Sequence, residues 1–116
     1  MRVRVFDSAG ALARAAAREV AHALAVQPTL VLGLPTGRTP VPLYRELVRL
    51  YRTGRVDFSR ATTFNLDEFL GRRARDPRSY HAFMQHHLFD HVSLSPRRIH
   101  FLDGAARDAA REGERY

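Results

Sequence analysis

The sequence contains no cysteine, so neither a disulfide nor a thiolate takes part in its function. It also contains no lysine, and all 19 basic residues are arginine. No uninterrupted apolar run approaches the roughly 20 residues that a membrane-spanning helix needs, so no membrane partner is expected. The opening residues "MRVRVFDSAG" lack the apolar region of a signal peptide. We therefore expect a cytoplasmic protein.

What is present is typical of one globular domain, which we predict to span residues 1–116. Apolar residues make up 45% of the chain and charged residues 27%. The net charge of +7 raises the question of nucleic-acid binding. However, most arginines are scattered at helix-surface spacing among acidic residues, and only "GRRARDPR" at 71–78 forms a local cluster. We interpret this cluster as a solvated loop and do not expect a nucleic-acid partner.

Four short segments rich in apolar and β-branched residues are predicted to be strands: 3–6, 29–34, 61–66 and 98–102. The second is continuously apolar, as is typical of a strand buried on both faces of a parallel sheet. Helical patterns separate the strands, and a last one begins near residue 104. This alternation predicts an α/β fold with a doubly wound, mainly parallel sheet and helices on both faces. The chain ends after the fourth predicted strand, so we predict a truncated, partial domain.

The predicted helices carry recognisable start signals. Ser8 and Ser79 are candidate N-caps of the first and third helices, because their hydroxyl oxygens can accept from free first-turn amides. Thr39 is the candidate cap of the second helix, with Pro40 as its first residue. The third helix is predicted over residues 80–92. The apolar stripes that should face the core are Leu12, Ala16, Val20 and Leu24 in the first helix, and Tyr44, Leu47, Val48 and Tyr51 in the second.

The stretch "VLGLPTGRTP" at 31–40 runs from a buried strand into the turn before the second helix. The amide groups of a helix start and the close approach that glycine allows suit a phosphate group. Thr36 and Thr39 can donate hydroxyl hydrogen bonds, Gly37 opens the backbone, and Arg38 can pair with the anion. The alternative is a plain turn in which glycine and proline serve geometry alone. The loop lacks the lysine of a Walker sequence.

Two carboxylates follow the third predicted strand, in "TTFNLDEFLG" at 62–71. Ligands bind at the carboxyl ends of parallel strands, so Asp67 and Glu68 should overhang the same edge as the 35–40 loop. Apolar neighbours would raise the pKa of such a carboxylate through desolvation, which suits a general base. The alternative is that one of the two only caps the next turn.

Five histidines lie in the last third of the chain: His81, His86, His87, His91 and His100. The i, i+4 pair His87 and His91 has the spacing of two metal ligands. No acidic partner stands at a metalloprotease position in the same helix, so we interpret these residues as surface or partly packed histidines and predict no metal site.

Three segments together resemble the amino-terminal half of glucosamine-6-phosphate deaminases. They are the loop "LPTGRTP", the strand end "FNLDEF" and the helix start "SYHAFM", in the order and spacing of that family. The resemblance covers the whole chain. The related 6-phosphogluconolactonases usually carry a serine- and glycine-rich loop instead of "PTG", and they rank second.

The resemblance implies the conversion of glucosamine 6-phosphate to fructose 6-phosphate and ammonia, without an organic cofactor. It implies that Thr36, Gly37 and Thr39 lie in the sugar-phosphate pocket and that Asp67 accepts the C2 proton. Glu68 belongs to the same motif and is expected to support Asp67. A small sugar phosphate is the implied partner, and full-length members are expected to form homo-oligomers.

Two features depart from the family pattern. Arg38 stands where relatives carry glycine or serine. The family's ring-opening histidine and its acidic partners lie beyond Tyr116, and neither His100 nor Asp103 matches that later motif. We therefore expect the 116-residue chain to lack part of the active site and to be inactive alone. Its unpaired sheet edge should make it prone to association. The alternative of a different class is a sugar-phosphate-binding regulatory module that does no chemistry.

Overall fold

Three parallel strands alternate with helices in the computed structural model, which describes residues Met1–Tyr116. The elements in chain order are α1 (Ala9–Val26), β1 (Val31–Leu34), α2 (Val41–Arg52), β2 (Thr62–Asn65), α3 (Tyr80–His87), β3 (Ile99–His100) and α4 (Ala109–Arg115). Two 3₁₀ turns, Phe89–His91 and Pro96–Arg98, lie between α3 and β3. The strand order β1-β2-β3 follows the chain, and both pairings are parallel. The α/β class and the parallel sheet are thus confirmed.

The predicted strand at residues 3–6 is not formed. Val3 and Val5 are 72% and 91% exposed, and no strand lies beside them. An extended segment becomes a strand only by pairing its backbone with a neighbour, and this segment has none. Its contacts are instead local: Arg4 lies over the ring of Phe6 and pairs with Glu19 of α1.

The sheet has one well-covered face and one largely open face. Leu34, Thr63 and Asn65 are buried on the first, where α1, α2 and α3 supply most of the core. On the other face, the ring of Phe64 contacts His100 at 4.4 Å and Tyr116, which follows α4, at 5.8 Å. The predicted burial of β1 on both faces is wrong, because β1 is an edge strand and Val31 is 61% exposed.

The two serine caps are confirmed. Ser8 accepts from the amide of Ala11 at the start of α1, and Ser79 accepts from the amide of Ala82 at the start of α3. In the first turns of α1, the face that packs against the core is displaced by one residue from the predicted apolar stripe. Leu12 is half-exposed, while the small residues Ala13 and Ala17 are buried against the neighbouring α2.

The predicted cap of α2 is wrong. Pro40 occupies the cap position with helical backbone angles, and the Thr39 hydroxyl makes no hydrogen bond. The predicted apolar face of α2 is largely confirmed, with Tyr44, Leu47 and Val48 buried.

The helical segment predicted to reach residue 92 is interrupted, because Leu88 leaves helical geometry between α3 and the following 3₁₀ turn. None of the helices combines the length and the apolar character that crossing a membrane requires.

Candidate functional site

The loops that leave β1, β2 and β3 meet at the carboxyl edge of the sheet. Leu34 and Asn65 are register partners at the ends of β1 and β2. Thr36 and Asp67 each follow two residues later, so the 35–40 loop and the 66–70 segment start side by side. The predicted phosphate loop and the predicted general base are therefore brought to the same edge.

The 35–40 loop presents backbone amides that can donate hydrogen bonds to a ligand. Gly37 has φ +97°, a conformation that favours glycine, and the space beside its Cα is open. The amides of residues 36–39 donate to no acceptor within the protein. The loop is anchored by Tyr44, whose hydroxyl donates to the carbonyl of Pro35 and whose burial raises its pKa. An anion can use these amides without displacing an existing bond.

A cavity of about 430 Å³ lies between this loop and the first two turns of α1. Thr36 and Thr39 line it together with apolar residues, including Leu12 and Leu43. Arg38 does not line it: its side chain is exposed and makes no hydrogen bond or ion pair. The loop thus places two threonine side chains at the cavity, whereas the unpaired guanidinium of Arg38 lies outside it.

The surroundings predicted for Asp67 differ from those observed. Asp67 is exposed, and the apolar neighbours that should desolvate it point largely into solvent, with Leu66 and Leu70 both 76% exposed. Nothing in the protein hydrogen-bonds its carboxylate, which leaves both oxygens open to a substrate. The predicted desolvation of Asp67 by its apolar neighbours is therefore wrong for this structure, whereas its position at the sheet edge is as expected.

Glu68 has a structural role that the sequence argument offered only as an alternative. Its carboxylate accepts from the amides of Tyr80 at 2.9 Å and His81 at 3.0 Å, the first two residues of α3, and from its own neighbour Phe69 at 2.9 Å. Together with the Ser79 cap, it satisfies the free amides of the first turn of α3. Glu68 therefore ties the segment that carries Asp67 to α3.

Two further residues hold the strand ends together and were missed by the sequence analysis. The side-chain amide of Asn65 donates to the carbonyl of Leu34 at 2.8 Å, and its buried Oδ1 has no partner. The hydroxyl of Tyr116 donates to the carbonyls of Asn65 at 2.5 Å and His100 at 3.2 Å. A buried asparagine at the end of a β-rich run was the available signal for the first. No local pattern marks the second, which acts across 51 residues.

The β3–α4 loop packs closely against the loop after β2. A side chain at Gly104 would bring a Cβ to 2.3 Å from the carbonyl oxygen of Phe69 and 2.5 Å from that of Arg72. The backbone at Gly104 also accepts from the amide of Gly71 at 2.7 Å. Gly104 is thus required by close approach of two backbones, which fixes the segment on the carboxyl side of Asp67.

The histidines do not form one site. The ring of His81 stacks on that of Phe101 with 4.7 Å between the ring centroids, and burial lowers the pKa of His81. The Nε2–H of His91 donates to the carbonyl of His86 at 2.8 Å. His100 lies on the open face against Phe64.

Comparison with known proteins identifies the group to which this chain is related. The family model described as glucosamine-6-phosphate isomerases/6-phosphogluconolactonase matches residues 6–116. The chain belongs to this family. Glucosamine-6-phosphate deaminase 1 of Giardia intestinalis is 46% identical over 86% of this chain and 38% of its own length. The glucosamine-6-phosphate deaminase of Halothermothrix orenii is 41% identical over 100% of this chain and 48% of its own length.

Solved structures in the family share the fold. A monomeric glucosamine-6-phosphate deaminase matches with a TM-score of 0.96 at 40% identity, over 100% of this chain and 48% of that one. The 6-phosphogluconolactonase of Thermotoga maritima matches with a TM-score of 0.74 at 18% identity, over 97% of this chain and 49% of that one, which shows the fold alone. The chain spans less than half the length of the curated relatives described here. The family resemblance inferred from the three motifs is thus confirmed.

Proposed function

We propose that this chain forms part of a glucosamine-6-phosphate deaminase, which isomerises the amino sugar phosphate to fructose 6-phosphate and releases ammonia. One observation carries the proposal: the 35–40 loop, with its free amides, and Asp67 both follow strand ends that are paired in register. They do so in a chain that is 40% identical, over all of its own residues, to part of a solved deaminase. Loss of the amino group consumes water, so the overall reaction is both an isomerisation and a hydrolytic deamination. We also propose a cytoplasmic location, because a charged phosphate ester does not cross a bilayer unaided.

In this proposal, the 35–40 loop binds the substrate phosphate. The amides of Thr36 to Thr39 donate to its oxygens, and the threonine hydroxyls add neutral hydrogen bonds. These amides have no acceptor within the protein, so phosphate binding breaks no existing hydrogen bond. A fixed phosphate restricts where the sugar carbons lie, which converts proton transfer into a nearly unimolecular step.

Asp67 is proposed as the base that removes the C2 proton and returns it to the neighbouring carbon. A carboxylate without protein partners has both oxygens available, and one of them can alternate between accepting and donating the proton. Glu68 cannot share this work while three amides occupy its oxygens. We therefore assign Glu68 a positioning role.

The test of Asp67 is exchange of the substrate C2 proton with solvent deuterium, followed by NMR on the protein that carries this chain. We expect Asp67→Asn to abolish exchange while leaving glucosamine 6-phosphate binding measurable by calorimetry. Asp7→Asn is the matched control, because Asp7 is also exposed and forms no hydrogen bond. Exchange that continues in Asp67→Asn would contradict the assignment. Binding without turnover in the wild type would favour the regulatory module instead.

Arg38 gives a second test of the loop. Its guanidinium is free and sits one residue before the turn into α2, where a bound phosphate would relieve repulsion from the positive helix end. We expect Arg38→Gly to weaken sugar-phosphate binding by about 1–3 kcal/mol, the range for a hydrogen bond to a charged group. Tighter binding by this variant would mean that Arg38 obstructs the pocket.

A further inference from the structure

A second electropositive surface lies away from the 35–40 loop, between α2 and the end of α3. This α2–α3 groove encloses about 550 Å³ and is lined by Val41, Arg45, Glu46, Val48, Arg49, Arg52, Thr53, His86, His87 and His91. Arg45, Val48 and Arg52 recur at every third or fourth residue, so they lie on one face of α2. Pro42 and Leu43, which line the cavity beside the 35–40 loop, lie on another face.

The charge of the groove is uncompensated. Its single carboxylate, Glu46, is already paired with Arg49 at 3.0 Å. Arg45 and Arg52 are exposed and make no hydrogen bond or ion pair. The nearby carboxylate of Asp90 lies outside the groove and accepts from Gln85. Two free guanidiniums thus face the groove without a counter-charge.

The histidine side of the groove is held in place by defined contacts. The ring of His87 packs on Phe83 at 4.4 Å and edge-on against His86 at 4.8 Å. The Nε2–H of His91 donates to the carbonyl of His86 at 2.8 Å. No group of three histidine or acidic side chains is placed to share a metal ion. Ordered imidazoles beside free arginines, without a carboxylate to balance them, favour an anion over a cation.

We propose that the α2–α3 groove binds a small molecule carrying two or more phosphate groups, with Arg45 and Arg52 as its main anchors and the histidine rings as its floor. These arginines are two helical turns apart, about 10 Å along the axis of α2. A single phosphate reaches both guanidiniums only if the two side chains converge, whereas linked phosphates can contact one guanidinium each. This site does not depend on the proposed deaminase function, because it shares no residue with the loop or with Asp67.

Protonation of His87 should respond to such a ligand. Burial, and then the positive charges of His86, Arg45 and His91, lower the pKa of His87. From α2, the groove presents Arg45, Glu46, Arg49 and Arg52, and from α3 and the following turn it presents the three histidines. A bound anion offsets this repulsion, so it must raise the pKa of His87. His22 on α1 lies outside the groove and serves as an internal reference.

The experiment titrates inorganic pyrophosphate into the protein at constant ionic strength, with inorganic phosphate as the comparison, and follows the histidine ring signals by NMR. We expect saturable shifts at His86, His87 and His91 but not at His22, and binding of pyrophosphate at least tenfold tighter than that of phosphate. Ring titrations in saturating sulfate, whose charge is constant across the histidine range, should show a raised pKa of His87.

Paired variants decide whether the groove or the overall charge is responsible. R45Q/R52Q should weaken pyrophosphate binding at least tenfold, whereas the charge-matched R14Q/R97Q should change it less than twofold. All four arginines are exposed, and thermal unfolding of both variants checks that the fold is retained. Equal weakening in the two double variants, absence of saturation, or shifts that include His22 to the same extent would each overturn the proposal.

Discussion

Glu68 should contribute more to stability than most other loop residues. Its carboxylate accepts hydrogen bonds from two first-turn amides of α3 and from one amide of its own loop. Oε1 accepts from Phe69 and Tyr80 and Oε2 from His81, all at 2.9–3.0 Å. A hydrogen bond to a charged group contributes about 1.5–3 kcal/mol, and loss of a helix cap about 0.5–2 kcal/mol. Water can partly replace the lost acceptor, so the contributions do not add fully.

We expect Glu68→Ala to lower the free energy of unfolding by about 2–3 kcal/mol. Glu68→Gln should lose about half as much, because its amide oxygen can still serve one pair of donors while its NH₂ group faces the third. The assay is urea unfolding followed by circular dichroism. Glu114→Ala is the control, since Glu114 is exposed on α4 and makes no hydrogen bond.

A double-mutant cycle tests whether Glu68 and Ser79 act on the same helix start. Ser79 caps the amide of Ala82, and its own hydroxyl donates to the carbonyl of Ala74 at 3.0 Å. The change at Glu68 and the change at Ser79 should be energetically coupled, because after either change the first turn of α3 is capped by the other residue alone. If Glu68→Ala costs no more than Glu114→Ala, the capping role of Glu68 is refuted.

Three further perturbations test the packing of the carboxyl edge and α4. Gly104→Ala should destabilise by about 1–3 kcal/mol in urea unfolding through overpacking, whereas Gly113→Ala, in open space on α4, should stabilise by about 0.5–1 kcal/mol. Gly37→Ala should lower the free energy of unfolding by about 1–2 kcal/mol, because alanine is strained at a φ of +97° even where the space for its Cβ is open. An unchanged urea midpoint of unfolding would contradict this. A hydrogen bond from Arg115 lowers the pKa of Glu112 from 4.5 to about 2, so its stabilising contribution is complete above pH 4.5 and is lost as pH falls towards 2. Proton NMR of α4 should show this loss in the wild type and its absence in Glu112→Gln.

Sequence patterns were sufficient wherever structure is decided locally. The serine caps at Ser8 and Ser79, the apolar face of α2 and the strand "TTFN" at 62–65 all follow from residue type and spacing. The α/β class follows from their alternation along the chain. The carboxyl-edge location of Asp67 follows as well, because parallel strands end at a common edge.

Sequence patterns failed where a distant partner decides the outcome. "VRVF" at 3–6 has the composition of a strand, but strand formation needs a neighbour with free backbone groups. In α1, alanine is common on every side of the helix, so the apolar pattern cannot distinguish the buried Ala13 and Ala17 from the half-exposed Leu12. The desolvation of Asp67 failed for a related reason, since Leu66 and Leu70 have the right composition but face solvent.

The adjacent carboxylates Asp67 and Glu68 show why identical chemistry takes different roles in one motif. Glu68 has the longer side chain and reaches the start of α3, which fixes the backbone one residue from Asp67. The shorter Asp67 has no partner and remains open to solvent at the strand end. Close packing at Gly104 holds the same segment from its other side. An exposed side chain can be positioned accurately only if its backbone is rigid, and Glu68 and Gly104 supply that rigidity. In the proposed reaction, proton transfer by Asp67 should therefore be sensitive to Glu68→Ala even though Glu68 holds no substrate atom, with a larger effect on kcat than on KM.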